Sequence, residues 1–435
     1  MSPSVAFTTL GCRLNQAESD LMHEELARVG FRAPGQDDPD VVVVNTCTVT
    51  REATKASRAA IRRAARTHPR ATVVVTGCYA VSDPDEVAAI EGVDVVLGND
   101  DKDAFVESLS RSAATAPLLQ IGRLGEPVPA PLPQRVRANL KVQTGCDEWC
   151  SFCIIPTTRG PLRSVPEDDL VRAARVRVAA GAREIVLTGV HLGKYSFDLG
   201  GSERGLVRLL RRLLDIEGLL RLRLSSILCR HLTEEVVELI ASEPRICRHL
   251  HVPLQSGDDS VLAAMHRPYR VEEYVAAVEG ALERVPGLAL ATDVIVGFPD
   301  ESDEAFERTV EVVSRIGFSK LHVFRYSPRP GTAAASARDG VPADVKKERS
   351  RRLIAVGNDI RARFLDAHLD RPLDVLVEDE RVVDGRAICS GQTTDYVRVW
   401  FEGEGMLGRV ASVVGERVRA DGIEGRLCEG GGQHG

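Results

Sequence analysis

Six cysteines, in two sets of three, are the side chains of this 435-residue chain best suited to do chemistry. Cys146, Cys150 and Cys153 fall within the run CDEWCSFC, a C-x3-C-x2-C spacing. Three thiolates from one short loop can hold three irons of a cubane and leave the fourth iron without a protein ligand. An open metal position is where a substrate coordinates in catalytic metal sites generally. Structural zinc takes four ligands, commonly as two closely spaced pairs, and no second pair follows here. A ferredoxin-type carrier needs four cysteines per cluster.

The other set is Cys12, Cys47 and Cys78. Their contexts, TTLGC, VVVNTC and VVVTGC, each close an apolar, strand-like run. One such cysteine reads as a small core residue. In a parallel sheet, however, successive strand C-termini line one edge, where ligands bind. Three thiolates therefore meet at that edge, a geometry suited to a second three-cysteine cluster. Cys229, Cys247, Cys389 and Cys428 lack partner spacing and read as non-ligands. His191, His251 and His322 fall at or near strands and are assigned no metal role.

Residues 1–110 alternate Val-rich runs with helical patterns. Buried parallel strands read as such continuous apolar runs, so a Rossmann-like parallel sheet is expected. Residues 111–135 are rich in Ala, Pro and Gly and read as a linker. Within 136–369 the runs RANLKVQT, EIVLTG, LRLRLSS, HLHVPLQ, LALATDVIV and KLHVFRYS alternate with helical patterns. That order fits a partial (β/α)6 barrel of the TIM type, with CDEWCSFC directly after its first strand, where active-site loops lie. A helix is expected from Asp344 to about Leu369. Short β-like runs over 371–428, spaced by Gly, read as a small all-β barrel. The tail EGGGQHG is expected to be disordered.

Lys and Arg number 56 against 63 Asp and Glu, a net charge of −7, so any nucleic-acid site must be a local patch. The candidate is the helix Arg51–Arg70, where Lys55, Arg58, Arg62 and Arg66 recur at three- and four-residue spacing on one face. Lys346–Arg363 is a second. Of Tyr396, Trp400 and Phe401, two are expected in the core of the C-terminal barrel and one free to stack on a base. No run of apolar residues is long enough to span a membrane. The N-terminus lacks a basic-then-apolar leader pattern. The expected compartment is the cytoplasm, with no membrane partner.

The motifs carry a resemblance. C-x3-C-x2-C with Phe152 before its last cysteine resembles the signature of the radical S-adenosylmethionine superfamily. TLGCRLNQAESD, NTCTVTREATKASR and TGCYA are similar to the N-terminal domain of the methylthiotransferases. QTGCDEWCSFCIIPTTRGPLRS, LTGVHLGKY, RLSSI, HVPLQSGDDSVLAAMHR and DVIVGFPDES resemble their radical domain, and the last segment resembles their TRAM domain, a small RNA-binding barrel. Within the family, TLGCRLNQ-x-ES and LTGVHLG most resemble the group acting on threonylcarbamoyladenosine in tRNA. Leu228-Cys229 and Leu162 depart from that group's usual Glu-Pro and Glu.

The resemblance implies replacement of the C2 hydrogen of N6-threonylcarbamoyladenosine, next to the tRNA anticodon, by a methylthio group. It implies two 4Fe-4S clusters, one on Cys146, Cys150 and Cys153 that binds exchangeable S-adenosylmethionine and one on Cys12, Cys47 and Cys78. It implies tRNA as partner and an electron donor such as flavodoxin or ferredoxin. No catalytic residue beyond the cluster ligands is assigned. Strand-end position makes Thr188, Gly189, Ser225, Gly297 and Phe298 the candidate contacts to S-adenosylmethionine. Other readings are methylthiolation of isopentenyladenosine in tRNA, or of a ribosomal protein side chain. A non-enzyme reading is a two-cluster electron-transfer or carrier protein.

Overall fold

The computed structural model describes residues 2–35, 38–124, 135–337, 340–419 and 421–428. Its first unit is a parallel sheet of β1 (Val5–Thr9), β2 (Val41–Thr46), β3 (Thr72–Gly77) and β4 (Val95–Val96), in that order. Every residue of β2 is buried, as a Val-rich central strand covered on both faces must be. Helix α1 (Arg13–Arg28) joins β1 to β2, and α2 (Arg51–Thr67) joins β2 to β3. Thr50 caps α2 by accepting a hydrogen bond from the Ala53 amide.

The segment expected to be a linker is not all irregular. Residues Ala116–Leu124 form a helix whose Leu119 packs into the sheet's core with Phe105 and Leu109. Two adjacent leucines outweigh the Ala- and Pro-rich composition there. The rest of that stretch, 125–134, and the tail EGGGQHG lie outside the described residues.

The second unit has six parallel strands: β5 (Arg137–Lys141), β6 (Glu184–Thr188), β7 (Arg221–Leu224), β8 (His249–His251), β9 (Ala289–Val296) and β10 (Lys320–Arg325). They form two three-stranded sheets, β5-β6-β7 and β8-β9-β10. Parallel bridges at Leu222–Ile246 and Ser226–His251 join them into one open barrel wall. Helices α3 (Glu167–Ala179), α4 (Arg204–Leu214), α5 (Glu234–Ser242), α6 (Val271–Arg284) and α7 (Asp303–Ile316) return the chain between strands. Their apolar stripes and the strands share one large core. The long α8 (Ala343–Asp366) packs on α7 and β10.

The third unit is a closed barrel of β11 (Pro372–Val383), β12 (Arg386–Gln392), β13 (Arg398–Glu402), β14 (Val410–Arg419) and β15 (Gly422–Leu427), in the order β11-β12-β13-β15-β14. Closure leaves no free sheet edge. Phe401 is buried in its core, but Tyr396 and Trp400 are not. The expectation of two core aromatics therefore becomes one. Among the described residues no helix is long and apolar enough to cross a membrane.

Candidate active site between two cysteine sets

β1, β2 and β3 pair in register up to Thr9–Asn45 and Thr46–Gly77, so their C-terminal ends are level. Cys12, Cys47 and Cys78 leave from that edge. Cys12 stands before the first turn of α1, and Cys78 begins the short helix Cys78–Ser82. Ser57 of α2 clamps Cys47 by accepting from its amide at 3.0 Å and donating to its carbonyl at 2.8 Å. Gly11 makes the approach possible: its φ is +90°, and a Cβ there would lie 2.8 Å from the Cys47 sulfur. Burial pushes the Cys47 thiol up to about 11, and nearby Cys78 and Cys12 push it the same way.

The other set follows β5. Gly145, at φ +71°, turns the chain into the cysteine loop, and a Cβ there would lie 1.8 Å from the Pro161 carbonyl oxygen. The Cys146 amide donates to Gly160 O at 3.1 Å, closing the loop. Ser151 anchors it to the next wall by donating its hydroxyl to Ala264 O at 2.7 Å. Burial pushes the thiols of Cys146 and Cys153 up to about 11 and about 12. Arg267 donates to the Cys150 sulfur at 3.1 Å, a cation placed where a thiolate would be.

Among the described residues no group of His, Cys, Asp or Glu is arranged around a single metal ion. A cubane spreads its protein ligands over separate irons, so two loops of three free thiols suit clusters. Cys146, Cys150 and Cys153 line a cavity of about 220 Å³ with Val190, Ser226 and Gln255. Glu148 and His191 also reach it. Both His191 ring nitrogens are buried without a hydrogen-bond partner, while Glu148 Oε1 is ion-paired with Lys194 at 2.8 Å and lies 3.4 Å from His191 Nε2. An unpartnered buried imidazole in a cavity fits a polar ligand.

A larger cavity of about 550 Å³ adjoins it, sharing Ile155, Val190 and Ser226, and reaches Cys12. Thr188, Gly189 and Ser225 line this cavity, and the Ser225 hydroxyl is buried and unpaired. Gly297 and Phe298 are placed differently. The Gly297 amide donates to Glu301, and Phe298 packs edge-on against Phe152 and Tyr326 behind the cysteine loop. A positive φ at Gly297 turns the end of β9 away from the cavity. Phe298 backs the loop through Phe152, and neither residue lines either cavity.

Sequence reasoning missed Glu148, Gln255 and Arg267 in the smaller cavity, and Arg159 beneath both sets. Arg159 donates to Glu18 Oε1 at 2.7 Å; Lys102 donates to Glu18 Oε2 at 2.7 Å and to Asn45 at 2.9 Å. Burial alone would raise the Glu18 carboxyl, but Lys102, Arg159 and Lys141 hold it well below the usual carboxylate range. This buried network ties the sheet unit to the barrel and fixes the two cysteine sets relative to each other.

The second basic helix candidate is engaged over part of its length, while its Lys347 and Arg363 are exposed. In α8 Lys346 and Arg349 are buried, Arg349 pairs with Glu301 and Asp303, and Arg352 pairs with Glu307. On α2, Lys55, Arg62 and Arg66 are exposed, while Arg58 is engaged by Tyr79 and Glu86.

Residues 4–98 match the profile of an uncharacterized protein family, UPF0004, and residues 140–313 that of the Radical SAM superfamily. The chain is 38% identical over 422 residues to the threonylcarbamoyladenosine tRNA methylthiotransferase MtaB of Bacillus subtilis, covering 94% of this chain and 93% of that protein. It is 36% identical to MtaB of Thermotoga maritima, covering 98% and 99%. It is also 36% identical to the tRNA-2-methylthio-N(6)-dimethylallyladenosine synthase of Sorangium cellulosum, covering 98% and 94%. Among solved structures, the radical S-adenosylmethionine methyltransferase TsrM of Kitasatospora setae superposes with a TM-score of 0.57 at 17% identity, covering 77% and 74%. That likeness is one of fold.

Proposed function

The chain belongs to the radical S-adenosylmethionine methylthiotransferase family, and on that premise we propose that it adds a methylthio group to C2 of N6-threonylcarbamoyladenosine in tRNA. The product is 2-methylthio-N6-threonylcarbamoyladenosine. The observation that carries the reading is that Cys146, Cys150 and Cys153 line a cavity adjoining one that reaches Cys12 of the other three-cysteine set.

Cys146, Cys150 and Cys153 would hold one 4Fe-4S cluster, and Cys12, Cys47 and Cys78 a second. With S-adenosylmethionine bound, these groups supply a carbon-centred radical on one side and a methylated sulfur on the other. The protein's own part is position and dielectric. Arg267 keeps a cation beside the Cys150 sulfur. Gln143 accepts from the His191 amide at 2.8 Å and donates to Gly145 O at 2.6 Å, so the loop after β6 and the cysteine loop move as one. His191, with Glu148 held beside it by Lys194, would face the amino-acid end of S-adenosylmethionine; Thr188, Gly189 and Ser225 would face the adjoining substrate. His251 is fixed between Ser226 and Asp293 at the same wall.

tRNA is the macromolecular partner, approached through the exposed cations of α2. A low-potential donor such as a flavodoxin or ferredoxin supplies the electron, and the reaction belongs to the cytoplasm. The test is anaerobic: reconstituted protein, S-adenosylmethionine, a reductant and tRNA bearing threonylcarbamoyladenosine. Digested product should contain the methylthio nucleoside. Cleavage of S-adenosylmethionine without any change in the tRNA would sink the substrate reading.

A further inference from the structure

One cation in the site lacks an acidic partner. Arg13 follows Cys12 at the start of α1 and is half-buried. No carboxylate pairs with it among the described residues; its hydrogen-bond partner is the phenolic oxygen of Tyr396. Arg137 and Arg223 also face that ring, with guanidinium carbons 5.3 and 4.5 Å from its centre against 5.2 Å for Arg13. Those two are compensated. Arg137 pairs with Glu184 at 3.2 Å and Glu378 at 2.9 Å, and Arg223 donates to Glu184 at 2.7 Å. Three guanidinium groups thus meet two carboxylates, and the excess positive charge rests on Arg13.

Its place gives that charge a use. Gly11, Cys12, Arg13 and Tyr396 are common to the 550 Å³ cavity and to a second cleft of about 370 Å³ lined by Gln16, Asn139 and Arg137. Arg13 is therefore the saddle between a chamber that reaches Cys12 and an outer cleft. The acid of that cleft, Glu378, is taken up by Arg137, and Asp293 of the chamber by His251. Tyr396 itself, at φ +70°, follows a turn that is held in place because the carbonyls of Thr393 and Thr394 accept from the buried Arg223.

We infer that Arg13, steadied by the Tyr396 hydroxyl from the C-terminal barrel, binds the free carboxylate of the N6 substituent of the target base. The inference rests on the substrate reading above and deepens it. A threonylcarbamoyl group carries one carboxylate several bonds from the purine; a dimethylallyl group carries none. With the base in the chamber near Cys12, the substituent crosses the saddle into the outer cleft. A fork of guanidinium donors matches a carboxylate better than any neutral alkyl chain. Arg13 is thus a specificity-determining residue, and the third domain contributes the side chain that positions it.

The test uses two anticodon stem-loop RNAs, one with N6-threonylcarbamoyladenosine and one with its neutral methyl ester. Binding is read by fluorescence anisotropy on the intact, cluster-loaded protein. Wild type should bind the acid roughly tenfold more tightly than the ester. Arg13→Gln should bind the two alike, Arg13→Lys should regain part of the preference, and Tyr396→Phe, which keeps the ring, should lose part of it. A wild-type protein indifferent to the ester, or an R13Q protein that keeps the full preference, overturns the inference. If wild type methylthiolates the acid-bearing RNA in either of those cases, the substrate reading survives and only the role of Arg13 falls. If it methylthiolates neither RNA, the substrate reading falls first.

Discussion

Cys47 and Cys146 belong to different halves of the molecule, and replacing each should separate two chemistries. Cys146→Ala should abolish 5′-deoxyadenosine formation. Cys47→Ala should keep that cleavage and lose sulfur insertion, with iron falling from about eight to about four atoms per chain in either variant. Chromatography for 5′-deoxyadenosine and iron analysis read both, and identical behaviour of the two variants would refute the division of roles. A second residue-scale prediction concerns Glu18. Its carboxyl is held below the ordinary value of 4.5 by Lys102, Arg159 and Lys141. Such a group contributes stability at neutral pH that is lost as pH falls below 4.5 toward the folded value. Glu18→Gln should therefore flatten the acid side of the stability profile in urea titrations. Arg159→Met, which leaves Glu18 short of a partner, should cost about 3–5 kcal/mol at neutral pH. The cysteines were legible because type and spacing are local facts. Arg159, Arg13 and Tyr396 were not, since Arg159 finds Glu18 across 141 residues and Arg13 finds Tyr396 across 383.

Elements deliver the cysteines, and the turns after the strands do the delivering. Gly145→Ala places a Cβ 1.8 Å from Pro161 O and forces the cysteine loop to shift. The expected result is loss of S-adenosylmethionine cleavage and of roughly half the iron, while the Cys12, Cys47 and Cys78 site keeps its own. Full iron content in that variant would contradict the account. Strand order and helix positions were readable from Val-rich runs and helical periodicity, because those patterns follow from burial. Strand-end position was a weaker guide. It picked Thr188, Gly189 and Ser225, which line the larger cavity, and equally Gly297 and Phe298, which do not. Position along a strand fixes where a residue sits, while the turn's dihedrals decide which way it faces. That Arg349 and Arg352 of α8 are paired was hidden for a related reason: their acidic partners Glu301, Asp303 and Glu307 come from the previous loop and helix.

At the scale of the whole molecule, a net charge of −7 coexists with a tRNA substrate because the charge is unevenly placed. Lys55, Arg62 and Arg66 stand exposed on α2, which follows Cys47. Replacing all three by Glu should weaken tRNA binding roughly tenfold at low salt and flatten the salt dependence of log Kd by about 2. Filter binding across salt concentrations measures this, and an unchanged slope would remove α2 from the interface. The three units then have separate duties around two adjoining cavities: the sheet edge brings Cys12 to the larger one, the open barrel lines the smaller one with Cys146, Cys150 and Cys153, and the C-terminal barrel brings Tyr396 to the larger one. The central claim is the product these duties make together. It is tested most directly by mass spectrometry of tRNA nucleosides from a strain lacking this protein and from the same strain with it restored. The account predicts that 2-methylthio-N6-threonylcarbamoyladenosine disappears, that unmodified N6-threonylcarbamoyladenosine accumulates, and that restoration reverses both. A deletion strain that keeps its methylthio nucleoside contradicts it.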